Sequence, residues 1–183
     1  ELTPIEMTQA YLALARFGQF KEISFIDGLW HSNNQAVEID AQPISTSLLN
    51  PRKTASIVGI LKHTLISGTA QSAANKMEVS SFAGKTGTTS DNRDAWFVGM
   101  SPFETTLTWV GYDDNTSSSL TGASGALPIW AQYISSLESR WPKADFLWPE
   151  GTEIRSPDLE RISKEGVSVP LDGKIKLVFD QRN

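Results

Sequence analysis

Residues 81–99 read SFAGKTGTTSDNRDAWFVG, and this stretch decides how the chain is expected to fold. A strand-like segment at 79–89 runs through a short polar turn into an apolar run at 94–100. A third strand-like segment, 105–112, follows after another short turn. Loops this short join neighbouring antiparallel strands. The sequence therefore predicts a three-stranded antiparallel meander over these segments.

The first helix has clear start and stop signals. Thr3 and Glu6 fit a capping box, and Pro4 occupies the first helical position, where a backbone N–H is not needed. Gly18 is expected to end the helix in a left-handed conformation. The segment that follows alternates loosely, and we expect a hairpin that turns at Asp27-Gly28.

Two further helices are predicted from apolar residues at helical spacing. One starts at Asn50-Pro51 and stops at Gly68, and the other covers about 124–137. Residues 69–78 between helix and sheet are predicted to form a loop. The fold class that follows is α+β, an antiparallel sheet flanked by helices.

Composition limits the functions open to the chain. Its 183 residues fit about one domain, and a net charge of −5 disfavours nucleic acid and anionic membranes as partners. The absence of cysteine excludes disulfides and thiolate catalysis. We expect no cofactor and no metal. Asp113-Asp114-Asn115 could suggest calcium, but it lacks the glycine and closing glutamate of a calcium loop and is better explained as a solvated turn.

The chain is expected to divide after Trp141-Pro142, where its composition changes. Residues 1–142 form the main unit, and residues 143–183 form a charged C-terminal extension. Residues 171–174, Leu-Asp-Gly-Lys, could form the turn of a small hairpin in that extension.

The strand over 85–89 carries the chemistry. Lys85 is a compact cation, and the hydroxyls of Thr86 and Thr88 share one face of an ideal strand. Gly87 lets another backbone lie close, so a peptide could pair with the strand edge, where a backbone N–H can also act as an oxyanion donor. Alternation places Lys85 on the opposite face. A ligand that touches all three side chains must therefore lie along the edge, unless the strand twists there.

Simpler explanations compete with a site. A three-letter K-T-G match is weak alone, and a phosphate loop is rejected because Val79 stands where that motif needs glycine. His31 and His63 are interpreted as surface residues. For Arg93-Asp94, a salt bridge that holds the hairpin is preferred to catalysis.

Residues 84–99 resemble the third active-site motif and following strand of class A penicillin-binding proteins, the bifunctional cell-wall synthases of bacteria. Other segments are similar to that family in the same order along the chain. They are Leu2–Gly18, Ser67-Gly68-Thr69-Ala70, Thr108–Asp114 and Thr121–Trp130. The resemblance covers about residues 1–137 and implies the fold of penicillin-binding proteins and serine β-lactamases, here its C-terminal portion.

The resemblance implies acyl transfer by a serine nucleophile, which cross-links peptidoglycan stem peptides and which β-lactams block. Lys85 would bind the substrate carboxylate and tune the proton network, while Thr86 and Thr88 would hydrogen-bond that carboxylate. The backbone N–H of Thr88 would supply half of the oxyanion hole. Gly87 and Thr89 complete the expected substrate-binding strand.

The family's S-x-x-K serine motif is missing from the sequence. We expect that motif, a membrane anchor and the rest of the transpeptidase domain to precede Glu1. The protein is expected to act on the periplasmic side of the inner membrane. This chain alone is expected to be inactive. Its exposed apolar surface would favour self-association. Two alternatives stay open: a D,D-carboxypeptidase or β-lactamase relative, and a non-catalytic peptidoglycan-binding or folding module of the same fold.

Overall fold

A computed structural model describes residues 2–26, 28–37, 44–75, 78–137, 144–155 and 177–180. The helices in this part of the chain are α1 (Pro4–Ala15), α2 (Pro51–Ile66) and α3 (Leu127–Leu137). Its strands are β1 (Gln19–Lys21), β2 (Leu29–Trp30), β3 (Ala36–Val37), β4 (Ser45–Ser47), β5 (Ala83–Thr88), β6 (Ala95–Met100), β7 (Thr105–Val110), β8 (Thr152–Arg155) and β9 (Leu177–Asp180).

The predicted meander is confirmed as the sheet β5-β6-β7, with antiparallel pairing throughout. Its strands are shorter than expected. The first begins at Ala83, because Phe82 N–H donates to the carbonyl of Val79 and closes a turn. The side chains of Val79 and Phe82 are both buried, so this segment contributes to the hydrophobic core although it does not pair in the sheet.

Capping explains where the helices begin. Thr3 and Glu6 form the predicted capping box, with Thr3 N 2.7 Å from Glu6 Oε2. These hydrogen bonds lower the pKa of the Glu6 carboxyl. The side chain of Asn50 caps α2, and Pro51 follows it as predicted. α1 ends at Ala15, and the chain then turns through two left-handed residues, of which Gly18 was predicted and Phe17 was not.

The third helix starts differently from its prediction. Residues 122–126 form a π-helical turn, and α3 follows from Leu127. Thr121 caps this turn through a reciprocal pair of hydrogen bonds with Ser124. Residues 71–75, predicted as loop, form a short 3-10 helix.

The hairpin predicted at Asp27-Gly28 is wrong. β2 pairs with β3, and the chain reverses at residues 31–35, where His31 N donates to the carbonyl of Gln35. Asp27 itself lies outside the described residues. β1 pairs instead with β4.

The sheet lies between two helical layers, so each of its faces is buried by a separate cluster. Phe97 points to the layer of α3, where its ring centroid lies 4.8 Å from that of the fully buried Trp130. Val98 and Met100 point to the other side, where they meet Val58 of α2. This packing holds β5 as the last strand on one side of the described sheet.

Parts of the C-terminal extension pack on the main unit. Phe146 is buried with Val58, and Val178 of β9 contacts Gly59 of α2. Lys62 Nζ lies 2.5 Å from Asp145 Oδ1, which ties the segment to α2. The boundary at residue 142 stays a prediction, and the turn predicted at 171–174 lies outside the described residues.

Candidate active site at the open edge of β5

β5 offers one unpaired edge. Among the described strands it pairs only with β6. Thr89 N–H donates to the carbonyl of Asp94 at 3.1 Å, so this opposed pair is a hydrogen-bonded one. Pairs alternate along an antiparallel ladder, and the register places Thr88 opposite Ala95. The backbone N–H and C=O groups of Thr86 and Thr88 therefore face away from β6, toward the open edge.

Lys85 reaches that edge from the opposite face. Its side chain follows the alternation, but its Nζ donates to the carbonyl oxygen of Thr86 at 2.7 Å. That carbonyl is on the open edge. Lys85 is exposed, and no carboxylate of the described residues forms an ion pair with it. A positive charge without an acidic partner thus lies beside the two threonines.

Within the described residues, the hydroxyls of Thr86 and Thr88 each have one hydrogen-bond partner. Thr86 Oγ1 lies 2.9 Å from Thr69 Oγ1, in the turn that follows α2. Thr88 Oγ1 accepts from the backbone N–H of Gly122 at 3.0 Å. Because that N–H uses an acceptor position, the Thr88 hydroxyl proton remains available to a ligand.

Gly87 lies between these threonines with little room for a side chain. A Cβ added there would lie 3.2 Å from Trp96 Cβ on the neighbouring strand. On the other face, the backbone of Gly122 comes close enough that a Cβ on it would lie 2.6 Å from the carbonyl oxygen of Gly87. The bare glycine therefore keeps this part of the strand thin.

Thr89 is engaged in the hairpin turn. Its hydroxyl donates to Asp94 Oδ2 at 3.0 Å and accepts from Asp94 N at 2.8 Å, and its own N–H bonds the same residue. These bonds leave Thr89 less free for a substrate than Thr86 and Thr88. Its assignment to the substrate-binding strand stays a prediction, as do those of the other site residues.

The predicted Arg93-Asp94 salt bridge is wrong. Arg93 pairs with Asp91 at 3.2 Å, while Asp94 Oδ1 accepts from Trp109 Nε1 at 2.9 Å. The carboxylate of Asp94 accepts hydrogen bonds from Thr89 and the Trp109 indole instead, and the Arg93 guanidinium pairs with Asp91.

Sequence reasoning missed the residues that support the edge from other parts of the chain. Thr69 and Gly122 belong to segments that carried the family resemblance, but nothing in the sequence indicated that they touch β5. Ser117 and Ser118 donate to the carbonyls of Asp91 and Asn92, two residues with left-handed backbone. The hairpin beside the site is thereby fixed by a distant loop.

The acidic turn that follows β7 is satisfied internally. Asp114 Oδ1 accepts from both the N–H and the hydroxyl of Thr116, and these bonds lower the pKa of its carboxyl. This geometry is that of an exposed turn. His31 is exposed as expected, whereas His63 is half-buried on α2.

Comparison with known proteins agrees with the motifs. The family model described as "Penicillin binding protein transpeptidase domain" matches residues 1–130. Penicillin-binding protein 1A of Aquifex aeolicus is 36% identical over 93% of this chain, and penicillin-binding protein 1B of Vibrio cholerae is 33% identical over 96%. The resemblance to class A penicillin-binding proteins is confirmed, and these matches extend beyond the residues that first indicated it.

The fold is also that of a solved relative. Penicillin-binding protein 1A from Haemophilus influenzae superposes with a TM-score of 0.80 at 22% identity, over 98% of this chain and 32% of that one. The chain spans only 24% and 22% of the length of the two curated relatives. No helix of the described residues has the length and apolar character required to cross a membrane. On the family match and the shared fold together, the chain belongs to the penicillin-binding protein transpeptidase domain family.

Proposed function

We propose that the protein carrying this chain is a serine-type peptidoglycan D,D-transpeptidase, and that this chain supplies the strand that holds the substrate. The observation that carries the proposal is the open edge of β5. It combines an ammonium that forms no ion pair within the described part of the chain, two hydroxyls and outward-facing backbone groups, all within four residues. The carboxyl terminus of a peptide needs a cation and hydrogen-bond donors, and its extended backbone needs a strand edge.

Each residue has a defined role in this proposal. Lys85 and the hydroxyls of Thr86 and Thr88 bind the terminal carboxylate of a D-alanyl-D-alanine stem. The N–H of Thr88 donates to the oxyanion that develops when serine attacks the preceding carbonyl. Gly87 lets the peptide backbone approach the strand. The resulting acyl group then passes to an amine of a neighbouring stem, which forms the cross-link.

The nucleophile comes from elsewhere in the complete protein. The sequence holds no S-x-x-K motif, and the chain spans about a quarter of its relatives. Without the serine, only binding and oxyanion contributions remain. We therefore propose that these 183 residues alone form no acyl-enzyme.

The remaining partners follow from the exposed apolar side chains. Ile57 and Ile60 lie on the outer side of α2, and Ile129 and Tyr133 lie one turn apart on α3. Such residues support association with the rest of the transpeptidase domain, or between copies when that part is missing. Peptidoglycan as substrate sets the site of action outside the cytoplasm, where an upstream segment would anchor the protein.

The test is acylation by a fluorescent penicillin. In the full-length protein, Lys85→Ala should slow acylation by about ten- to a hundredfold, as expected when a charged hydrogen bond to the carboxylate is lost. Its unfolding free energy should change by less than about 0.5 kcal/mol, because the side chain is exposed.

Lys53→Ala is the matched control, since it removes an exposed lysine from α2. It should acylate at the wild-type rate. Equal acylation by wild type and Lys85→Ala would refute the carboxylate role of Lys85. Stable labelling of the isolated 183-residue chain would refute its inactivity.

A further inference from the structure

Thr69 is held in one position beside the open edge. It lies just past the end of α2, between two restrained neighbours. Ala70 is fully buried, and its N–H donates to the carbonyl of Thr64 at 3.0 Å. Gly68 packs so closely on α2 that an added Cβ would lie 2.8 Å from Thr64 Cα. The backbone of Thr69 is thus fixed from both sides, and its hydroxyl meets Thr86.

The contact between the two hydroxyls restricts where their protons point. Thr69 Oγ1 and Thr86 Oγ1 are 2.9 Å apart, and either atom can donate. The pair has two protons, of which one lies between the oxygens and the other is left over. A carboxylate only accepts hydrogen bonds. When one occupies the edge, the favourable order is therefore Thr69 to Thr86 and Thr86 to the carboxylate, a chain in which each bond polarises the next.

We propose that Thr69 is a positioning residue, whose hydroxyl turns the Thr86 proton toward the substrate carboxylate. The proposal rests on the proposed function, from which it takes the carboxylate at the edge. Thr88 has a comparable support, because its oxygen accepts from the N–H of Gly122 and its hydroxyl proton stays available to donate. Each edge hydroxyl thus has one supporting group behind it, and the edge presents two aligned donors beside the Lys85 ammonium.

The test uses the full-length protein and its rate of acylation by a fluorescent penicillin. Thr69→Val removes the hydroxyl and keeps the branched shape, and should slow acylation about three- to tenfold, the equivalent of one hydrogen bond. Thr69→Ser should restore most of the rate. Because Thr69 is exposed, neither variant should change the melting temperature.

Thr8→Val is the control for the substitution itself. The Thr8 hydroxyl donates to the carbonyl of Pro4 within α1, at 2.7 Å. Its loss should leave acylation unchanged. If Thr69→Ser is as slow as Thr69→Val, the hydroxyl is not the group that matters, and the proposal is overturned.

A double-mutant cycle identifies the route of the effect. If Thr69 acts through Thr86, Thr69→Val should add nothing in a Thr86→Val background. Additive losses would overturn the proposal while leaving the proposed function intact. The same holds if Thr86→Val slows acylation and Thr69→Val does not. If Thr86→Val itself acylates normally, the carboxylate site is wrong, and the role of Thr69 falls with it.

Discussion

Gly122 couples the packing of α3 to the candidate site, and Gly122→Ala tests this coupling. The residue opens the π-helical turn and donates to Thr88 Oγ1. Its backbone is not left-handed, so alanine is compatible with its conformation. The only obstacle is space: an added Cβ would lie 2.4 Å from the carbonyl oxygen of Trp96 and 2.6 Å from that of Gly87.

The cost follows from what these atoms are. Both oxygens belong to paired strands and cannot rotate away. To reach even 3.0 Å, the turn must retreat by about 0.6 Å. Overpacking of this kind costs about 1–3 kcal/mol, and the better helix propensity of alanine returns up to about 1 kcal/mol. We expect a net loss of about 1–2 kcal/mol in unfolding free energy.

The same displacement of the π-helical turn also affects the candidate site at Thr88. It lengthens the hydrogen bond from Gly122 to Thr88 from 3.0 Å to about 3.6 Å, which breaks it. Acylation of the full-length protein should therefore slow together with the loss of stability. Urea denaturation of the 183-residue chain measures the stability, and fluorescent penicillin measures the rate.

Gly125→Ala is the internal control, because this glycine is in the same turn. Its added Cβ would lie 3.0 Å from Leu120 Cβ and 3.3 Å from Ala95 Cβ, so these neighbours must shift by only a few tenths of an ångström. We expect a change of less than about 1 kcal/mol. If Gly122→Ala proves as stable and as reactive as Gly125→Ala, the steric reasoning is refuted.

Three further variants test the hairpin and the core. Asp94→Ala should lower the unfolding free energy, measured in urea, by about 1–3 kcal/mol, because Thr89 and Trp109 lose their acceptor. Arg93→Ala is the control and should change it by less than about 0.5 kcal/mol. Equal losses in the two variants would contradict these assignments. Burial raises the pKa of the Tyr11 hydroxyl above its ordinary value of 10.0. As pH rises above that value, the unfolded chain releases a proton that the folded chain retains, so stability falls. Tyr11→Phe should reduce this decline in urea titrations between pH 9 and 11, and an unchanged slope would assign the decline to other groups.

The starts of α1 and α2 and the meander could be predicted from sequence because their signals are local. Thr3 and Asn50 cap the helices that immediately follow them, and short polar turns separate β5, β6 and β7. The prediction of a hairpin at Asp27-Gly28 was wrong because a turn dipeptide alone does not exclude a reversal at other turn-forming residues nearby. The actual reversal at 31–35 includes Asn34, which adopts the left-handed backbone that such turns need.

The site could be predicted only in part. Alternation assigned Lys85 and Thr86 to opposite faces correctly. The flexible lysine side chain nevertheless bends toward the strand edge, where its ammonium donates to the carbonyl of Thr86. Side-chain alternation along a strand does not predict the position of an ammonium at the end of a long side chain. The contacts of Thr69 and Gly122 with the strand span 17 and 34 residues. Contacts over such distances depend on how the helices pack, which no local pattern in a single sequence encodes.

Phe146 fills a gap between α2 and the sheet, although it lies beyond the segment that the motifs identify. A full-length protein trimmed after residue 142 would keep every predicted contact residue for the substrate, yet leave a ring-sized hole beneath the strand carrying them. Loss of penicillin labelling after such trimming would therefore report a collapsed scaffold, and would be mistaken for evidence of catalytic groups in the tail.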